Sequence, residues 1–131
     1  MTEKRRKGAA IVDTKEGILV VAGRSKRYIL PGGRANKGES RKKAAIRELY
    51  EETGLKTKDI SYLFSYVGSK WKKFKGHLVR NHTKVFLIES IGIPKPLNEI
   101  KFIAFWKFGS KINISSGTKK VIEKYLNEFK K

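Results

Sequence analysis

From Pro31 to Gly54 the chain reads PGGRANKGESRKKAAIRELYEETG, and this stretch constrains the fold more than any other. Proline lacks a ladder donor and glycine admits backbone angles closed to other residues, so Pro31, Gly32 and Gly33 are expected to stop a short strand written YILPGG. Residues 40–53 hold strong helix formers and neither proline nor glycine. Gly54 is placed for the left-handed position after the last turn, with apolar Leu55 behind it, so the pattern predicts a helix from Ser40 to Thr53. That helix carries Glu48, Glu51 and Glu52, three of only 12 acidic residues in a chain with 31 lysines and arginines and a formal net charge of +19.

Residues three and four apart are neighbours on a helix, so Glu48 shares a face with Glu51 and Glu52. Like charges at this spacing cost about 0.2–0.5 kcal/mol per exposed pair. The C-terminal half of a helix also disfavours anions. A solvated face with Arg47 paired to Glu51 would account for such a run. So would a hard divalent cation, Mg²⁺ or Mn²⁺, which prefers carboxylate oxygens and turns repulsion into coordination.

Elsewhere GAAIVDT and GILVVAGR read as two short strands joined as a β-hairpin. ISYLFSYVG, TKVFLIESIGI and IKFIAFWKF are dense in aromatic and β-branched residues and predict three more strands, with Pro94 and Pro96 between the last two. The end, SSGTKKVIEKYLNEFKK, places Val121, Ile122, Tyr125, Leu126 and Phe129 on one face of an amphipathic helix behind a serine cap. This order of elements predicts an α+β fold, an α/β/α sandwich formed as a single domain over residues 1–131.

The chain has no cysteine, which removes disulfides and thiolate metal sites and favours the cytoplasm. No apolar run approaches the ~20 residues that span a bilayer, so no membrane partner is expected. The positive balance calls for anionic partners.

With U for a bulky apolar residue, the stretch fits G-x5-E-x7-R-E-U-x-E-E-x-G-U at Gly33, Glu39, Arg47, Glu48, Leu49, Glu51, Glu52, Gly54 and Leu55. The match is complete over 23 residues and resembles the Nudix box of the Nudix hydrolases. The resemblance implies a mixed β-sheet with the box as a loop-helix-loop and a C-terminal helix. It implies Mg²⁺ (or Mn²⁺) as cofactor and water attack on phosphorus in a nucleoside diphosphate derivative or nucleoside triphosphate. Metal ligands are then expected at the Gly32 carbonyl, Glu48, Glu51 and Glu52, and catalytic roles at Glu48, Glu51 and Arg47. The water-activating carboxylate is left open among Glu51, Glu48 and Glu99. Gly33, Glu39 and Gly54 have structural roles, Glu39 as the ion partner of Arg47. The oligomeric state stays unknown.

Residues 68–84, GSKWKKFKGHLVRNHTK, hold six lysines or arginines and no acid, with Trp71 and Phe74 among them. Cations that grip phosphates beside a ring that stacks on a base form a polyanion contact, so Lys72, Lys73, Lys75, Arg80 and Lys84 are candidate substrate-binding residues. Arg24, Lys26 and Arg27, just before the box, form a second such group. His77 and His82 lack a third ligand for zinc. An anionic phosphate-containing small molecule is the leading partner. The charge also admits a more highly charged substrate, an RNA 5′ end or a diphosphoinositol polyphosphate, or a nucleotide or RNA binding module without turnover, which a broken box would favour.

Overall fold

The computed structural model describes residues 2–131, and of Phe74 the backbone alone, so the stacking role expected of that side chain lies outside the described residues. In chain order the elements are β1 (Thr2–Ile11), β2 (Asp13–Thr14), β3 (Gly17–Ala22), β4 (Gly32–Arg34), α1 (Arg41–Thr53), β5 (Lys56–Val67), β6 (Trp71–Lys72), β7 (Leu78–Ile91), β8 (Phe102–Trp106) and α2 (Ser116–Lys124). The larger sheet has the order β4-β1-β7-β5, with β6 also on β7; β1 and β7 run parallel and the other pairs antiparallel. The smaller sheet has the order β2-β3-β8.

Side chains alternate across a strand, and here both faces are used. Ala10, Val12 and Leu19 face Ala45 and Leu49 of α1, together with Leu55, Phe86 and Ile88. Ile11, Ile18 and Val20 face Val121 and Ile122 of α2, with Tyr125, Phe64, Val85 and Trp106. The result is an α/β/α sandwich, an α+β fold whose central strands have helices on both sides. The Tyr125 hydroxyl donates to Asp13 at 2.8 Å and anchors the end of α2 to β2.

Two strand expectations are corrected. GAAIVDT joins GILVVAGR in a hairpin at its end alone: Asp13 and Thr14 pair with β3 and Val12 O accepts the Leu19 amide, while residues 2–11 lie between β4 and β7. The reason is that residues 10–12 are buried in alternation against two cores, which places the segment in the central layer. YILPGG does not stop at its glycines; Tyr28 and Ile29 make single bridges, and Gly32 and Gly33 open β4. The Pro31 carbonyl accepts the Ala10 amide at 2.8 Å, so the residue without a donor still joins the ladder.

α1 is capped as its sequence dictates. The Ser40 hydroxyl accepts the Lys43 amide at 3.1 Å, and Gly54, at φ 76°, donates its amide to Tyr50 O. The helix lies directly on β1: a Cβ on Gly8 would stand 2.0 Å from Arg41 O and 2.9 Å from the Ala45 nitrogen.

Gly8→Ala should therefore destabilise the protein by about 2–3 kcal/mol, at the upper end of overpacking costs, because both obstacles are backbone. Chemical denaturation compared with wild type measures this, and an unchanged midpoint would contradict the contact.

Candidate active site

The first two residues of β4 and the last two turns of α1 make the site. A Cβ on Gly33 would fall 2.6 Å from the Glu48 carboxyl carbon, so only glycine lets β4 and the helix approach this closely, and one on Gly32 would fall 2.3 Å from Gly8 O of the neighbouring β1. Gly32, at φ 150°, pairs with Ala9, while Ala10 N–H bonds to Pro31 O. Gly32 thus occupies a position whose own N–H and C=O turn away from β1. Its amide meets the Glu52 carboxylate at 3.0 Å.

Arg47 organises the outer side of the helix. Its guanidinium donates twice to Glu39, at 2.9 Å each, and also reaches Glu48 at 2.7 Å, Glu51 at 3.3 Å and Arg34 O at 3.1 Å. The Asn36 amide donates to Glu39 as well. These donors, Arg47 first, hold the Glu39 carboxyl down to about 2.

Carboxylate oxygens of Glu48, Glu52 and Glu99 lie within 4.8 Å of one another. Glu52 is buried at 5% exposure, and burial, with Glu48 and Glu99 adding to it, pushes its carboxyl up to about 8 against the pull of the Gly32 amide. Burial raises Glu48 too, against Arg47. Three carboxylates in one site and a buried acid that resists ionisation form a donor set that fits a hard divalent cation.

The structure adds Glu99, which the sequence marked only as a possible water activator. It is carried there by a loop that satisfies the free carbonyls at the end of α1. Lys95 N–H bonds to Thr53 O, Leu97 N–H to Glu52 O, and the side-chain amide of Asn98 to Glu51 O at 2.7 Å. Asn98 takes φ 54°, a left-handed conformation that asparagine tolerates. Pro96 and the Asn98 turn were the available signals, and neither reveals which carbonyls the loop will seek.

Glu51 is not brought into the cluster. One residue on a helix is a 100° rotation, so while Glu48 and Glu52 stack one turn apart, Glu51 swings to the exposed side and pairs with Arg47.

Beside the cluster opens a cleft of about 230 Å³ whose lining includes Lys7, Gly32 and Gly33. Its far wall has Tyr66, Asn81, Thr83 and the start of α2 at Ser115–Thr118, and its floor has Val85 and Val121. Lys7 is largely buried, which lowers its ammonium pKa, while Glu52 and Glu48 act to raise it. The sequence hid Lys7 in a run of basic residues.

The basic side chains of segment 72–84 do not line this cleft. Asn81 and Thr83 face it, so strand alternation turns Arg80 and Lys84 to the other side of the sheet. Lys84 instead lies 5.6 Å over the Tyr62 ring. Lys72, on β6, pairs across to Leu78, which is level with Thr2, five residues or roughly 17 Å of strand from Lys7. Lys73 Nζ is bonded to Glu3 at 2.7 Å, and Lys75 sits in the turn that follows. Arg24, Lys26 and Arg27 are exposed in the turn after β3, and Lys26 lies 5.2 Å over the Phe102 ring, near Glu99 in the chain.

Among the described residues no helix is long and apolar enough to cross a membrane. Residues 4–123 match the model of the NUDIX domain. The fold is similar to that of a nudix hydrolase family member from Chromobacterium violaceum, with 36% identity, a TM-score of 0.79, and coverage of 98% of this chain and 82% of that one. It is also similar to a MutT protein from Bacillus halodurans (22% identity, TM-score 0.77, 95% and 83% covered). A bifunctional NMN adenylyltransferase/ADP ribose pyrophosphatase from Francisella tularensis, in complex with AMP and a manganese ion, shares the fold at 19% identity and a TM-score of 0.68, over 98% of this chain and 42% of that one. With an intact box folded around a carboxylate cluster and a family match over nearly its whole length, this chain belongs to the NUDIX family and is an enzyme of the Nudix hydrolase type.

Proposed function

We propose that the protein hydrolyses the diphosphate linkage of a nucleoside diphosphate derivative or a nucleoside triphosphate, with Mg²⁺ or Mn²⁺ held by Glu48, Glu52 and the carbonyl of Gly32. The observation that carries this reading is the convergence of Glu48, Glu52 and Glu99 beside a cleft that also presents Lys7. When bound, the cation neutralises phosphate oxygens and makes an adjacent water a better nucleophile.

The chain's own residues do the rest. Glu48 is fixed by Arg47 and Glu52 by the Gly32 amide, so both carboxylates are oriented before any ligand arrives. Glu99 is exposed and has no hydrogen-bond partner among the described residues, which suits it to take the proton from the attacking water. The water oxygen bonds to phosphorus as the bridging P–O bond breaks, and the bridging oxygen leaves with the other phosphate. Lys7 supplies a desolvated positive charge to a phosphate on the cleft side. The cleft suits a nucleoside: Val85 and Val121 offer apolar contact, and Asn81, Thr83 and Ser115 offer donors and acceptors.

A panel of nucleoside diphosphate derivatives and triphosphates incubated with Mg²⁺, with products resolved by chromatography, tests the reading; no turnover of any member would overturn it. Glu52→Gln keeps an oxygen for the Gly32 amide, so it should fold normally and lose roughly two to three orders of magnitude in kcat, the scale of a single electrostatic contribution to catalysis. Lys7→Met should instead act mainly on KM, raising it about tenfold through a lost charge-assisted contact worth about 1.5 kcal/mol.

Glu52 also predicts how stability responds to pH. Without a cation the folded chain keeps the Glu52 proton up to about 8, whereas an ordinary carboxyl releases it near 4.5. The folded state then holds the extra proton across that window, so this contribution to stability is complete below it and is lost as pH rises through about 8. The melting temperature of the metal-free protein should fall across the window, and Mg²⁺ should raise it most at the alkaline end. In Glu52→Gln both trends should flatten; equal slopes in wild type and variant would refute the assignment.

A further inference from the structure

The cations that miss the cleft form a surface of their own. β1 and β7 run parallel with Lys4 beside Arg80, Arg6 beside His82 and Gly8 beside Lys84, so these side chains project from one face of the larger sheet. Lys72 pairs with Leu78 and joins that face. α1 packs against Gly8, Arg41 reaches on to His82 O and Arg6 to Glu39 O, so the face is open towards the end at exposed Lys4. Along its edge runs a groove of about 470 Å³ lined by Lys4, Arg6, Arg34, Ala35, Asn36 and Lys37, with no acid among them.

The two faces of this sheet treat charge differently. On the opposite face Glu3 gathers Arg5, Arg34 and Lys73. On this face Lys4, Arg6, Lys37, Lys72, Arg80 and Lys84 have no carboxylate within 4.0 Å among the described residues, although Lys4 and Arg80 sit directly opposite one another. Like charges in cross-strand positions are destabilising, and no carboxylate among the described residues pairs with either. The Arg80 Nε is buried without a hydrogen-bond partner, so packing and not an acid holds that side chain.

We propose that this face binds single-stranded nucleic acid along the β1–β7 strands. Alternate residues of a strand are roughly 6.6 Å apart, a spacing suited to successive phosphates of an extended strand. The track from the Lys72 row at Leu78 to the Lys84 row, where α1 meets Gly8, covers six residues, roughly 20 Å, enough for about three nucleotides. At its end Tyr62 is 53% exposed on the same face, with the Lys84 ammonium over its ring. A row of cations ending in an accessible aromatic is the combination with which proteins hold unpaired bases; an acidic peptide would have no use for the ring. The inference does not depend on the hydrolytic reading.

The test is fluorescence anisotropy with a labelled single-stranded RNA bearing a 5′-hydroxyl, which offers no diphosphate to hydrolyse. Lys4, Lys72, Arg80 and Lys84 are changed together to Gln, and in a second protein Lys107, Lys111, Lys119 and Lys120 are changed likewise, so both lose the same charge. The first should bind at least about tenfold more weakly, with the slope of log K against log salt reduced by about 2–3; the second should change less than about threefold. Equal losses in the two proteins, or none in either, would overturn the proposal. Inorganic polyphosphate serves as a competitor with the same phosphate chemistry. Tyr62→Ala should weaken RNA about tenfold and leave polyphosphate unaffected, and loss of neither would overturn nucleic acid as the ligand. Circular dichroism confirms folding, and if the fourfold variant fails to fold, Lys4→Gln with Arg80→Gln makes the same comparison at about half the change in slope.

Discussion

The contact on which the site depends is the close approach of α1 to the strands β1 and β4. At Gly8 and Gly33 a side chain would collide with the backbone of α1 or with Glu48, so the helix comes nearer to the sheet than ordinary packing allows. That proximity sets the Glu48 carboxylate over Gly33 and lets the Gly32 amide reach Glu52. It also takes Glu52 out of water, and burial is the main reason its carboxyl holds a proton so far above the usual range. A fold that gathers three carboxyl groups here, one of them too buried to ionise readily, gives up stability, which is the expected signature of a site built for a cation.

Charge is partitioned by the architecture. Arg47 neutralises one flank of the helix and fixes the loop through Glu39, so the box glutamates separate into two sets: Glu51 belongs to the Arg47 network, whereas Glu48 bridges that network and the cluster. Glu99 completes the cluster from outside the box because the free carbonyls at the end of α1 draw the 95–98 segment onto the helix. One terminus thereby satisfies its own hydrogen bonds and delivers a carboxylate. On the sheet, strand alternation sends Lys7 towards the cleft and Lys4, Arg6, Arg80 and Lys84 to the other face, so neighbouring basic residues of similar composition meet different surroundings.

What could be read in advance follows the range of the interactions concerned. α1, its serine cap and its glycine stop were legible because they depend on residues within a few positions of each other. The aromatic and β-branched runs marked β5, β7 and β8, though not how far β5 and β7 extend. The apolar run GAAIVDT marks the end of β1 and not its basic start, because the pairing with β7 that makes residues 2–7 a strand joins positions more than seventy apart. The substrate-binding expectation for segment 72–84 rested on composition, which is blind to which side of a sheet a residue faces.

The sequence by itself determined the family, the helix with its three glutamates and the α/β/α layering, since each is written in fixed spacings and in the order of strands and helices. Only the tertiary structure decided that Glu99 replaces Glu51 in the carboxylate cluster, that Lys7 is the cation on the cleft, and that the remaining basic residues of β1 and β7 share another face. Those outcomes arise from long-range register and from helix-end carbonyls seeking donors, and no local pattern of residues encodes where such distant groups will meet.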